Sequence, residues 1–196
     1  MQADLNRGVT AIMCAHPQVR SVRLAGSRSR GTATAHSDWD FQVEVADFPT
    51  VAGDLPALVQ PLGPLAQLWD PLSRHHVYAL ILAGPVKVDL LFDVPHRPEP
   101  PWRPGADTLP AIDAHFWDWL LWLVGKRHRG QRRLVHDELA KMHRHLLQPL
   151  GGGAVPDSLE EAAADYLVAR ERAERRFGVR VPRRLQEEVQ RLLGTI

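Results

Sequence analysis

Hydrophobic and polar positions change rhythm about halfway along this chain. Up to residue 95 they mostly alternate, the period of a strand; from residue 110 onward apolar residues recur every three or four positions, the period of a helix. Residues 2–15 read as a short helix. In "VRSVRLAG", Val22 and Leu24 alternate with Arg23 and Ala25, which predicts a strand. The alternation in "DWDFQVEV" is strict: Asp38, Asp40, Gln42 and Glu44 face one way, and Trp39, Phe41, Val43 and Val45 the other. "DLPALVQPL" predicts a short helix. "LAQLW", "HVYALIL" and "VKVDLLF" then predict three strands, the last two joined by "AGP" as a hairpin.

The stretch 94–110, "VPHRPEPPWRPGADTLP", is too rich in proline for regular structure and reads as a linker or lid. Helices are expected over roughly 110–126, 131–148, 158–177 and 182–193. The second carries Val135, Leu139, Met142 and Leu146 as one apolar stripe. Ser158 with Glu161 predicts a capping box for the third, Gly178 its C′ residue, and Pro182 the first turn of the fourth. The expected class is α+β: a small mixed sheet with flanking helices over 1–95, a proline-rich linker over 96–109, and a helical bundle over 110–196.

Composition narrows the function classes. A chain of 196 residues with 44% hydrophobic and 24% charged residues can bury one large core or two small ones. The net charge of +1 gives no general pull toward nucleic acid or an anionic membrane. A long polynucleotide is therefore not the expected partner. Cys14 is the sole cysteine, which excludes an internal disulfide and suits a reducing, cytoplasmic setting; Met1 is followed by polar residues rather than a signal segment. The most apolar window, "FWDWLLWLV", is far shorter than the roughly 20 residues that span a bilayer, so no membrane partner is expected.

The candidate chemistry lies in "GSRSRGTATAHSDWD", residues 26–40. Asp38 and Asp40, two apart on a strand, place two carboxylates together, and a cation relieves their repulsion. Hard oxygen donors without supporting His or Cys favour Mg²⁺, which keeps waters and is shared with substrate phosphates. Asp89, in the middle of the apolar strand "VKVDLLFD", supplies a third carboxylate, as two metal ions would require. Asp93 shares its face and is the rival; Lys87 or Arg23 are alternative, structural partners for Asp89. Gly26 lets the backbone approach a ligand, Ser27 offers a hydroxyl and an N–H, and Arg28 and Arg30 offer charge to phosphate oxygens. An isolated Asp-x-Asp is most simply a solvated strand face. The Gly-Ser loop upstream turns the reading toward a triphosphate site beside a metal site.

With Gly31, Thr32, Ala33 and Ser37 included, the run reads GS-x-x-x-G-T-A-x-x-x-S-D-x-D and, with the later "VDLLF", resembles the nucleotidyltransferase superfamily of DNA polymerase beta type. The resemblance covers roughly the first 95 residues. A small catalytic domain followed by helices is similar in layout to the aminoglycoside nucleotidyltransferases. It implies that Asp38, Asp40 and Asp89 bind Mg²⁺, two ions in all, that Gly26, Ser27 and Arg28 meet the triphosphate, and that Asp89 serves as general base. Lys126, in the basic run "GKRHRGQRR", would be the nucleotide-binding lysine of the helical domain. The implied activity is transfer of a nucleoside monophosphate, AMP from ATP, to a hydroxyl of a small molecule, an aminoglycoside antibiotic included. Trp39 stands where the family usually has a smaller aliphatic residue.

Other readings stay open beside it. A protein partner AMPylated by an antitoxin-type enzyme, an RNA end, and a catalytically silent nucleotide-binding scaffold all fit the same motif. The helical half carries more Lys and Arg than Asp and Glu, which weighs against a polycationic acceptor, although Asp113, Asp118, Asp137, Glu138, Glu160, Glu161 and Asp165 are on offer. His75, His76, His136, His143 and His145 read as surface histidines rather than metal ligands. Phe116, Trp117, Trp119 and Trp122 read as helical core, with one ring a candidate wall of an acceptor cleft.

Overall fold

The computed structural model describes residues 2–99 and 102–194. In chain order the elements are α1 (Gln2–Cys14), β1 (Val19–Leu24), α2 (Gly26–Ser29), β2 (Trp39–Val45), α3 (Phe48–Leu58), β3 (Ala66–Trp69), β4 (His75–Leu82), β5 (Val86–Pro95), α4 (Leu109–His128), α5 (Arg132–Met142), α6 (Leu159–Phe177) and α7 (Arg184–Leu193). They form two compact units, residues 1–98 and 99–196. No described helix is long and apolar enough to cross a membrane.

In the first unit a five-stranded sheet has the order β1-β2-β5-β4-β3. Neighbours are antiparallel except β2 and β5, which run parallel, so the sheet is mixed. Strict alternation explains the layering. Trp39, Phe41 and Val43 of β2, Val88, Leu90 and Phe92 of β5, and Tyr78, Leu80 and Leu82 of β4 pack with Val9 and Met13 of α1 and with Val51 and Leu55 of α3. That face is the core. The intervening residues Asp40, Gln42, Lys87 and Asp89 fall on the other face.

Helix α3 begins at Phe48, six residues before the expected start. Pro49 sits in its first turn, where a missing N–H costs nothing, and Val51 and Leu55 place one apolar face on the sheet. A Phe-Pro pair and Gly53 hide that start from a reading of the sequence.

The second unit is helical, as expected. Val135, Leu139, Met142 and Leu146 are all buried. After α5 the chain continues as a wider π turn over His143–Leu147 and a 3₁₀ turn over Gln148–Leu150. A ring nitrogen of His143 donates to the Gly153 carbonyl at 2.8 Å, tying the glycine run back to that turn. The Ser158 hydroxyl accepts from the Glu161 N–H at 3.1 Å, while Glu161 accepts from the N–H of Asp157 rather than closing the box on Ser158. Gly178 closes α6 at φ +68°, and its N–H donates to the Glu174 carbonyl. Pro182 lies before α7, not in its first turn. Glu174 explains the delay: its carboxylate accepts from the N–H of Val181 and from Arg183, holding 181–183 out of the helix.

The centre of the second unit is polar as well as aromatic. Asp113 Oδ1 accepts from Trp117 Nε1 at 3.1 Å, Tyr166 Oη at 2.8 Å and Arg170 Nη1 at 2.9 Å. Burial pushes the Asp113 carboxyl above its ordinary range, against the pull of Arg170, Tyr166 and Trp117. Phe116 stacks on Tyr166 with ring centres 3.8 Å apart. Phe116, Trp117 and Trp119 are thus core, tied by a buried ion pair, whereas Trp122, also expected in the core, is only half-buried.

Candidate functional site

The run from Gly26 to Asp40 folds as one hairpin-like corner between β1 and β2, stapled by its own small polar residues. The Ser27 carbonyl accepts from the Thr32 N–H at 3.0 Å and from its hydroxyl at 3.3 Å. Ser29 Oγ donates to the Gly26 carbonyl at 3.0 Å. Thr34 N–H donates to Ser37 Oγ at 2.8 Å while the Ser37 N–H donates back to the Thr34 carbonyl at 3.1 Å. Thr32 and Ser37, which complete the sequence pattern, therefore shape the loop.

Gly26 is the point of closest approach. The Ala25 N–H donates to the Asp40 carbonyl at 2.7 Å, and the chain then turns at φ +62°. A β-carbon on residue 26 would lie 1.7 Å from Asp40 Oδ2. No side chain fits there, so the glycine is dictated by both its backbone angle and the neighbouring carboxylate. This contact joins the Gly-Ser turn to the carboxylate pair.

Across the sheet, Asp40 stands in register with Asp89 on the parallel neighbour β5. Trp39 and Phe41, like Val88 and Leu90, point into the core, so Asp40 and Asp89 share the opposite face. Asp93, the rival third carboxylate, is exposed near the far end of β5 and lies 3.9 Å from His75. Glu44 pairs with Ser21 at 2.9 Å and with Arg23 at 3.4 Å. Asp89, by contrast, is buried, and the Lys87 ammonium sits 2.8 Å from its Oδ1. Of the two structural partners foreseen for Asp89, the lysine is the one in place.

Arg28 takes a position of its own. Its Nε donates to the Asp38 carbonyl at 3.0 Å and its Nη2 to the Ser37 carbonyl at 2.6 Å. The guanidinium also lies over the Trp39 ring, 4.0 Å from its centre. Burial holds its pKa below the ordinary value, opposed by the charges of Asp38 and Asp40. The arginine braces the loop from inside, and the unusual Trp39 supplies its platform. Nothing in the residue pattern alone distinguishes a guanidinium aimed at phosphate from one aimed at two carbonyls. Ser27 is half-buried in the short helix α2. Lys126 belongs to the second unit, where its ammonium lies 4.5 Å from the ring centre of Trp122 one turn earlier on α4.

Among the described residues, no group of three or more His, Cys, Asp or Glu side chains is arranged to hold a metal ion. The donor chemistry of Asp38 and Asp40 suits one Mg²⁺ whose shell is completed by water and substrate oxygens. Asp89 differs, because it already faces a cation. His76 packs on Phe48 at 4.5 Å and on His96 at 4.8 Å between ring centres, an aromatic contact rather than a metal centre.

No protein-family model and no curated protein sequence matches the chain. Among solved structures it is similar to a chain of the GLD-2/RNP-8 complex, at 18% identity over 63% of this chain and 39% of that one, TM-score 0.37. It is similar to the polymerase core of TRAMP, an RNA surveillance complex, at 15% identity over 68% and 43%, TM-score 0.41. A third is an aminoglycoside 6-adenyltransferase from Bacillus subtilis, at 12% identity over 98% and 97%, TM-score 0.34. These neighbours are nucleotidyltransferases. The chain spans about two-fifths of the first two.

Proposed function

We propose that this chain is a Mg²⁺-dependent nucleotidyltransferase that moves a nucleoside monophosphate, AMP from ATP, to a hydroxyl of a small acceptor. The observation that carries this reading is the seating of Gly26 against the Asp40 carboxylate, with Asp89 in register beside it. A loop able to admit a triphosphate and a carboxylate pair able to hold its counter-ion meet at one corner.

Asp38 and Asp40 would hold the Mg²⁺, which when bound neutralises triphosphate charge and polarises the α-phosphate. The loop from Gly26 to Ser29 orients the phosphates, and Arg28 keeps that loop in shape. The acceptor hydroxyl oxygen attacks the α-phosphorus, the bond to the oxygen bridging to the β-phosphate breaks, and pyrophosphate leaves. Asp89 takes the hydroxyl proton. Catalysis is then positioning plus charge neutralisation. A hydroxyl-rich acceptor such as an aminoglycoside is the substrate class to test first.

The test is pyrophosphate release from each NTP with Mg²⁺ and pooled hydroxyl-bearing acceptors. Wild-type protein is expected to release pyrophosphate with one NTP and one acceptor pool, and Asp40→Asn to release none. Equal release by both proteins would overturn the assignment of the site.

A further inference from the structure

The third carboxylate differs from the other two in one respect that the reaction above does not use. Lys87 and Asp89 lie two apart on β5, so their side chains leave the same face. Both are buried, at 8% and 9% exposure, and the ammonium lies within hydrogen-bonding distance of Oδ1. Their cross-strand neighbours on β4 are Ile81 and Ala79, also buried. On the other side Asp89 stands in register with Asp40 of β2, and at this depth of burial the attraction between opposite charges is stronger than in water, and so is the repulsion between like charges. A divalent ion taking Asp89 as a ligand would have to displace a buried ammonium or lie against it. Asp38 and Asp40 differ in degree: the cation near them is the Arg28 guanidinium, whose own hydrogen bonds go to the Asp38 and Ser37 carbonyls. Both aspartates are half-buried, and the residues that follow on their face of β2 are Gln42 and Glu44.

We infer that Lys87 is the resident cation of the third carboxylate, so that the site takes one divalent ion, at Asp38 and Asp40, and not a second at Asp89. The inference rests on the nucleotidyltransferase reading and sharpens it. Lys87 is a positioning residue: it fixes Asp89 beside Asp40 and supplies the positive charge that a second ion would otherwise bring.

Manganese is the probe, counted by equilibrium dialysis against a saturating non-hydrolysable ATP analogue, with the ion held by free analogue subtracted from the protein-free chamber. Wild-type protein is expected to bind one Mn²⁺ per chain, and Lys87→Met to bind two. Two ions on the wild type, or one on a folded Lys87→Met, would overturn the inference while leaving the donor site intact. No ion on the wild type would overturn both. Because Lys87→Met removes the ammonium beside a buried carboxylate, its folding is checked by circular dichroism, and Asp89→Asn gives an independent reading. That variant is expected to keep one Mn²⁺ per chain, whereas a fall relative to wild type would show Asp89 to be a ligand and overturn the inference.

Discussion

Each unit of this molecule buries an ion pair, and the two pairs are built differently. In the helical unit the Asp113 carboxylate is held by Trp117 from its own helix and by Tyr166 and Arg170 from α6, and Arg170 also donates to Gln186 on α7. In the sheet unit Asp89 pairs with Lys87 on its own strand, in register with Asp40. The first pair crosslinks elements far apart in sequence and acts on stability. The second is a local pair that leaves the strands free to be held by backbone bonds and core packing, and it sets the charge of the candidate site. The burial of a carboxylate alone therefore does not mark function; the origin of its partners does.

That contrast breaks most visibly at Arg170. Arg170→Met leaves the buried Asp113 carboxyl without its cation, and is expected to lower stability by about 3–5 kcal/mol in urea denaturation. Arg170→Met combined with Asp113→Asn is expected to recover much of the loss, because the amide oxygen still accepts from Tyr166 and Trp117. A double variant as unstable as the single one would show that the pair is not the clamp.

A smaller effect is expected at the loop. Gly26→Ala forces an L-residue into the left-handed region and drives a methyl into Asp40 Oδ2. The backbone component costs about 1–2 kcal/mol, and nucleotide affinity should fall further than that as Asp40 moves. Unchanged affinity in a calorimetric titration would place the ligand elsewhere.

The smallest effect is a pH dependence. Burial pushes the Glu174 carboxyl up, but Arg183 and the Val181 N–H outweigh it, and the net pKa falls below its ordinary 4.5. A carboxyl depressed on folding contributes stability above its unfolded pKa and loses it as pH falls through the folded value. Stability should therefore decline below about pH 4.5, and Glu174→Gln should flatten that slope.

What the sequence made legible depended on distance along the chain. The strict alternation of β2 and the Gly26–Asp40 run are contiguous, so residue types and spacing were enough to pair a glycine turn with two carboxylates. The apolar stripe of α5 was readable for the same reason. The Asp40–Asp89 register needed a parallel pairing between β2 and β5, and the Asp113–Arg170 bond spans 57 residues; no local pattern encodes either. For Arg28 the residue type left the partner open, because a guanidinium suits carbonyls and an aromatic face as well as phosphate. The start of α3 was hidden because Phe48-Pro49 reads as a break when its apolar face is not yet seen.

The most direct test of the donor site is thermal stability of the wild type and of Asp38→Ala/Asp40→Ala with each NTP, with and without Mg²⁺. Ligand at about 100 times its dissociation constant adds roughly 2.7 kcal/mol, a readily measured rise in melting temperature. The expected result is a Mg²⁺-dependent rise with one NTP in the wild type and none in the variant. An equal rise in both proteins, or no rise with any NTP in folded wild type, would contradict a nucleotide site at the Gly26–Asp40 corner.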